Sequence, residues 1–197
     1  MVAGRQRQFD EREALDRAMS MFWSNGYNGT SLSDLTEAMG INKPSLYAAF
    51  GNKEALFVSA LNRYVAKHGS PHVAVLNEPN RSVRSRVRGY LKSIAHMVSD
   101  PALPGGCFVA ATTSEAGGEC LPAGAMSAIA TINRQTRRAF VEFFRREIAA
   151  GNIDDANAPE SLADYLLTLQ YGLAVMARNG AEAEMLENVI DRAVASF

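Results

Sequence analysis

Residues 30–57 read TSLSDLTEAMGINKPSLYAAFGNKEALF, a stretch that carries its own punctuation. Ser31 stands just before an apolar-periodic run, so its hydroxyl can cap the amide of Asp34 while the Asp34 carboxylate reaches back toward Ser31. Leu32, Leu35 and Met39 give the short helix that follows an apolar stripe, and Gly40 ends it because glycine takes the left-handed cap at no steric cost. Asn42 can cap a third helix from Lys43 to about Phe50, whose first turn tolerates Pro44 because amides there lack intrahelical partners. Leu46 and Phe50 face inward from it. Gly51 breaks the chain again, and Asn52 caps a fourth helix reaching to near Lys67, with Leu56, Phe57, Ala60, Leu61 and Tyr64 on its apolar side. Two short helices joined by Gly40-Ile41-Asn42 have helix-turn-helix spacing, but spacing alone fits a plain hairpin inside a bundle equally well.

Upstream, a helix from about Asp10 to Ser24 carries Leu15, Ala18, Met19 and Phe22 on one face and meets Gly26 at its end. Downstream, Gly69-Ser70-Pro71 through Pro79-Asn80 reads as a hinge or linker. Val83, Val87, Leu91, Ile94 and Val98 then mark a long helix, followed by a short one near Cys107 to Glu115 and a long one from about Pro122 to Ala150. Asn157 can cap a helix from Ala158 to about Asn179, and Gly180 separates it from a last helix ending near Phe197. No segment sustains the alternation of a strand, so the expected fold class is all-α.

At 197 residues, with 47% apolar and 21% charged side chains, the chain can bury a substantial core and has no composition of disorder. No apolar run approaches the roughly 18 residues that span a bilayer, and MVAGRQRQFD lacks the apolar core of a secretion signal, so the expected location is cytoplasmic, away from membranes. Cys107 and Cys120 form no CxxC pair, and His68, His72 and His96 show no ligand spacing, so neither a metal nor another cofactor is implied. No nucleophile and base pair, phosphate loop or metal cluster points to an enzyme. The net charge of −1 suits a nucleic-acid partner only if basic groups gather locally. Arg5 and Arg7 in an acid-free arm, with Lys43 and Lys53, supply such a face, while Asp154, Asp155, Glu182, Glu184 and Glu187 lie elsewhere.

Gly26-Tyr27 with Thr30-Ser31, Ala38 to Ile41, Leu46 to Phe50 and Lys53 to Phe57 resemble, over about residues 9–56, the DNA-binding domain of the TetR (tetracycline repressor) family. The resemblance implies a three-helix helix-turn-helix DNA-binding domain, residues 1–52. A fourth helix would link it to a helical ligand-binding and dimerisation domain, residues 53–197. It also implies a homodimeric repressor on a pseudo-palindromic double-stranded operator, released by a small-molecule effector, with a DNA-binding protein that needs no ligand as the alternative. Lys43, Pro44 and Ser45 match family base-reading positions, while Tyr47 and Lys53 match phosphate contacts. Lysine can donate to guanine, Pro44 can touch a thymine methyl and Ser45 can serve base or phosphate. Helix starts at Thr30-Ser31 and at Lys53 independently favour a phosphate.

Residues 106–115, GCFVAATTSE, resemble a stretch of a TetR branch that includes electrophile and oxidant sensors, with Ala111 standing where that branch has Asn. Cys107 therefore reads either as a small buried hydrophobe or as a thiolate poised near a helix N-terminus. Cys107, Phe108, Thr112, Asn133, Thr136, Phe140 and Tyr171 combine apolar walls with polar groups and are the expected ligand pocket. Arg134, Arg137, Arg138, Arg145 and Arg146 read as a solvated helix face. Leu162, Tyr165, Leu166, Leu169, Leu173 and Met176 keep a broad apolar face and are the expected dimer interface.

Overall fold

The computed structural model describes residues 9–118, 120–154 and 158–197. Arg5, Arg7, Glu119, Asp155 and the Asn157 cap lie outside the described residues. The elements run α1 (Glu11–Asn25), α2 (Leu32–Met39), α3 (Lys43–Phe50), α4 (Lys53–Tyr64), a π turn (Val65–Gly69), α5 (Ser70–Leu76), α6 (Val83–Val98), α7 (Phe108–Gly117), α8 (Ala123–Ala149), α9 (Pro159–Arg178) and α10 (Ala183–Val194). No strand occurs among the described residues, as the absence of alternation predicted.

The expected linker at 69–80 is largely helix. Ser70 N–H donates to the Val65 carbonyl five residues back, and its hydroxyl reaches the same carbonyl at 3.2 Å. This widened turn lets the chain continue past Pro71, which has no N–H to donate and stands in the first turn of α5. The break comes after Leu76, where Asn80 adopts a left-handed φ of 61°.

One apolar core runs through the chain. Phe22 of α1 meets Phe57 edge-on at 4.9 Å, Phe57 meets Phe108 of α7 at 5.5 Å, and Tyr64 joins Trp23 at 4.8 Å to Phe108 at 5.8 Å. Helix α4 is thus the hub between the first three helices and the rest. Polar contacts reinforce the junction: Trp23 Nε1 donates to the Gly105 carbonyl at 3.1 Å, and Arg178 from α9 donates to the Trp23 and Ser24 carbonyls at 3.2 and 2.9 Å. Those carbonyls belong to the negative end of α1, where a cation is favoured. Gly26 combines a φ of 72° with close approach of the Glu115 carboxylate, so no side chain can take its place unstrained.

Asp16 pins α1 to the end of α4, accepting from Arg63 at 2.6 and 3.0 Å and from Lys67 at 3.2 Å. The Arg63 hydrogen bonds, and Lys67 after them, hold the Asp16 carboxyl down at about 2, against partial burial that acts the other way. A carboxyl depressed on folding stabilises the fold above its unfolded value of 3.8 and loses that contribution as pH falls toward 2. After discounting for solvent screening, Asp16→Asn is expected to cost about 1–2 kcal/mol at pH 7. Urea unfolding at pH 7 and pH 2.5 should show the difference from wild type falling by more than half in acid; an undiminished difference would assign the loss to packing.

Candidate nucleic-acid interface and internal cavity

Local capping builds the helix-turn-helix. Ser31 Oγ accepts from Asp34 N at 3.1 Å while Asp34 Oδ2 accepts from Ser31 N at 2.8 Å, which completes the expected reciprocal box and lowers the Asp34 pKa. At the other end of α2, Gly40 sits at φ 67°, its N–H donating to Glu37 and that of Ile41 to Thr36, both at 3.1 Å. That paired closure turns the chain sharply into Asn42, whose Oδ1 accepts from Ser45 N at 2.9 Å to open α3. Leu46 is fully buried beneath α3, so its opposite side is held outward: Lys43, Pro44 and Ala48 are exposed, Tyr47 is 46% exposed and Ser45 is half-buried.

Lys53 opens α4 beside this surface, its Nζ 4.2 Å from the centre of the Tyr27 ring. Burial lowers its pKa and the nearby Asp34 opposes that shift. The ring holds the ammonium by this contact, and Lys53 is itself the first residue of α4, where helix amides and dipole favour an anion. The neighbouring Glu54 turns to the start of α8, accepting from Gly124 N at 2.5 Å.

A second feature lies behind α4. A cavity of about 210 Å³ is enclosed by α4, the π turn, α5, α6, the first turn of α7, α8 and α9. Tyr64, His68, Tyr90, Met97, Cys107, Thr136, Phe140 and Gln170 line it, and the exposed Gln135 and Ala139 stand at its mouth with Ser70. Tyr90 donates to Gln170 Oε1 at 2.5 Å and Tyr64 donates to Cys107 Sγ at 3.3 Å. Burial pushes the Cys107 thiol up, against hydrogen bonds from Tyr64 and from the amides of Ala110 and Val109.

The chain matches the family model of bacterial regulatory proteins, tetR family, over residues 14–60, and that of the tetracyclin repressor-like C-terminal domain over residues 84–193. The chain belongs to the tetR family. Among relatives of this TetR-family regulator, the HTH-type transcriptional repressor ComR of Escherichia coli K12 is 34% identical over 94% of this chain and 88% of its own length. The repressor BdcR of the same strain is 30% identical over 94% and 87%. A cysteine mutant of the TetR family regulator CifR, solved with 26-base-pair operator DNA, superposes with a TM-score of 0.86 at 37% identity, covering 98% of this chain and all of that one.

Within this TetR-family fold the residues expected from the sequence separate. Lys43, Pro44, Ser45, Tyr47, Ser31 and Lys53 fall on the α2–α3–α4 surface described above. Thr30 does not: it is 0% exposed, and its hydroxyl donates to the Gly26 carbonyl at 2.8 Å. Of the expected pocket residues, Cys107, Thr136 and Phe140 line the cavity. Phe108 instead joins the aromatic core and Thr112 is buried away from the lining. Asn133 and Tyr171 satisfy each other at 2.7 Å, with Thr113 as the second partner of Asn133 at 3.1 Å, so their polar groups hold α7, α8 and α9 together. The residues missed, Tyr64, His68, Tyr90 and Gln170, come from three helices and the π turn; Tyr64 reads in the sequence only as part of the apolar side of α4, and no local signal marks the other three.

The expected dimer face also divides. Leu162, Leu166 and Leu173 are buried inside this chain's own core and are unavailable to a partner in this fold. Tyr165 and Met176 are exposed and Leu169 half-exposed on the other side of α9, where Tyr165 and Leu169 form with Met185, Val189 and Arg192 of α10 an open groove of about 630 Å³. No helix among the described residues is long and apolar enough to cross a membrane.

Proposed function

We propose that this chain is a repressor, homodimeric through the outer faces of α9 and α10, that holds two α3 helices in successive major grooves of a pseudo-palindromic operator. A small molecule entering the cavity releases it. The observation that carries the DNA-binding reading is α3 itself: its polar and small side chains stand free on a helix whose inner face is locked by Leu46 and whose entry is fixed by Asn42. The operator-bound CifR and the two repressors above support repression as the sense of control. On this reading residues 1–52 form the DNA-binding domain and 53–197 the effector and dimer domain. The chain works in the cytoplasm and catalyses nothing.

Coupling between cavity and DNA has a physical carrier. Tyr64 and His68 line the cavity and pack on Trp23 of α1, with ring centres 4.8 and 5.4 Å away. A ligand that displaces either ring pushes on the helix that supports α2 and α3. A coupling of about 1–3 kcal/mol would change operator affinity 5- to 150-fold, and DNA would weaken ligand binding by the same factor. Thiol sensing through Cys107 is not favoured, because burial keeps the group protonated and therefore weakly nucleophilic.

Selection of genomic fragments by the purified protein tests this function: enrichment of fragments sharing an inverted repeat supports it, and recovery of random sequence removes it. On a selected fragment, Lys53→Ala is expected to weaken specific and random duplexes alike and to flatten the salt slope by about one unit per lost phosphate contact per subunit. Lys43→Ala should instead change preference among operator variants by about 1–3 kcal/mol at the base it reads. Gel shifts across a salt series separate the two, and an unchanged slope for Lys53→Ala would end its assignment to phosphate.

A further inference from the structure

The cavity has a chemistry that narrows what can fill it, and this inference rests on the reading of that cavity as the effector site. The Tyr64 hydroxyl belongs to a side chain only 2% exposed, and both acceptors it meets are sulfur: Cys107 Sγ at 3.3 Å and Met97 Sδ at 3.9 Å. Sulfur is a weak acceptor, so a desolvated O–H left with two of them gains from any oxygen brought within reach. Tyr64, Met97 and Cys107 all line the same cavity. Across it, Gln170 has its Oε1 occupied by Tyr90 at 2.5 Å, which leaves its amide nitrogen as the donor this side chain has to offer.

Charge is missing from the lining, where no Asp, Glu, Lys or Arg side chain occurs among the described residues. The titratable groups that do line it stay neutral near pH 7. Burial pushes Tyr64, Tyr90 and Cys107 up and, with Lys67 next, holds His68 below its ordinary value. An ion entering would lose its water and find no counter-charge, a penalty that contacts of a small molecule do not offset. Size sets a second limit, since about 210 Å³ corresponds to about seven waters' share of liquid volume.

We propose that the effector is a compact, uncharged organic molecule carrying an oxygen acceptor, and that this oxygen takes the Tyr64 hydroxyl from the Cys107 and Met97 sulfurs. The ring bearing that hydroxyl is the one packed edge-on against Trp23, so the hydrogen bond forms where the cavity touches α1.

Acetophenone, benzoate, 1-phenylethylammonium and ethylbenzene share nearly one size and differ in charge and acceptor, which makes them the probes. Calorimetric titration of the full chain is expected to show acetophenone binding at least about tenfold tighter than either ion. Tyr64→Phe should weaken acetophenone about fivefold while changing ethylbenzene less than about twofold. The carbonyl stretch of acetophenone bound to the wild-type protein should sit in the hydrogen-bonded range, a reading that needs no variant to fold. Benzoate or the ammonium binding as tightly as the ketone, no binding of the ketone at millimolar concentration, or an unshifted carbonyl stretch each overturns the proposal. Ala139→Trp plugs the exposed mouth and separates the site from its chemistry. Loss of ketone binding there keeps the cavity as the site whatever the outcome on charge, whereas undiminished binding places the ketone elsewhere and removes the cavity reading along with the proposal.

Discussion

Val189→Glu is expected to leave a folded monomer and to lower operator affinity by about 10²- to 10⁴-fold, the advantage that linking two binding heads confers. Val189 is 39% exposed, so a carboxylate there is solvated in the single chain and should not disturb folding. In the proposed dimer it would be carried into the groove formed with Tyr165, Leu169 and Met185, where two-fold symmetry places its copy nearby and no solvent screens the pair. Sedimentation velocity and a gel shift on the same preparation read the two effects together. A variant that stays dimeric and binds DNA normally would move the interface off α9 and α10.

The second large effect concerns stability. Arg86 of α6 and Glu147 of α8 face each other with side chains each 11% exposed, joined by hydrogen bonds of 2.9 and 2.6 Å. Arg86 also donates to the Leu76 carbonyl at the end of α5, and Asn152 donates to Glu147 at 2.8 Å, so the pair ties three helices behind the cavity. The Arg86 hydrogen bonds hold the Glu147 pKa below the ordinary carboxylate range, although burial opposes them. Glu147→Ala strands a buried guanidinium and is expected to cost about 3–5 kcal/mol, whereas Arg86→Met with Glu147→Leu should recover most of that loss. Chemical denaturation of the three proteins checks the order. If the double variant is as unstable as Glu147→Ala, the charge is not what the single substitution exposes.

The sequence was most legible where structure is local. The boundaries of α2 and α3 follow from Ser31, Gly40 and Asn42, because a cap and a left-handed glycine act within one turn and need no distant partner. At Gly69-Ser70-Pro71 the same local reasoning fails: three residues that break helices alone are absorbed by a π turn, whose wider hydrogen bond accommodates the proline. Thr30 illustrates a finer limit, since a hydroxyl before a helix reads as exposed until a carbonyl four residues earlier claims it. On α9 the apolar residues cover too much of the helix for periodicity to choose a side; packing against α6 and α8 takes Leu162, Leu166 and Leu173 inward and leaves Tyr165 and Met176 out. The cavity was least legible: Cys107, Thr136 and Phe140 were expected in it, but Tyr64, His68, Tyr90 and Gln170 are brought to them only by the tertiary fold.

In the proposed complex two copies of α3 read one operator at a fixed separation. Hydroxyl-radical footprinting of a selected fragment, with the complex mass measured on the same sample, tests it most directly. Two chains per site and two protected half-sites on one face of the duplex are expected, their centres one helical turn or a multiple of it apart. Protection of a single half-site by one chain, or of a continuous stretch without that periodic spacing, would contradict it.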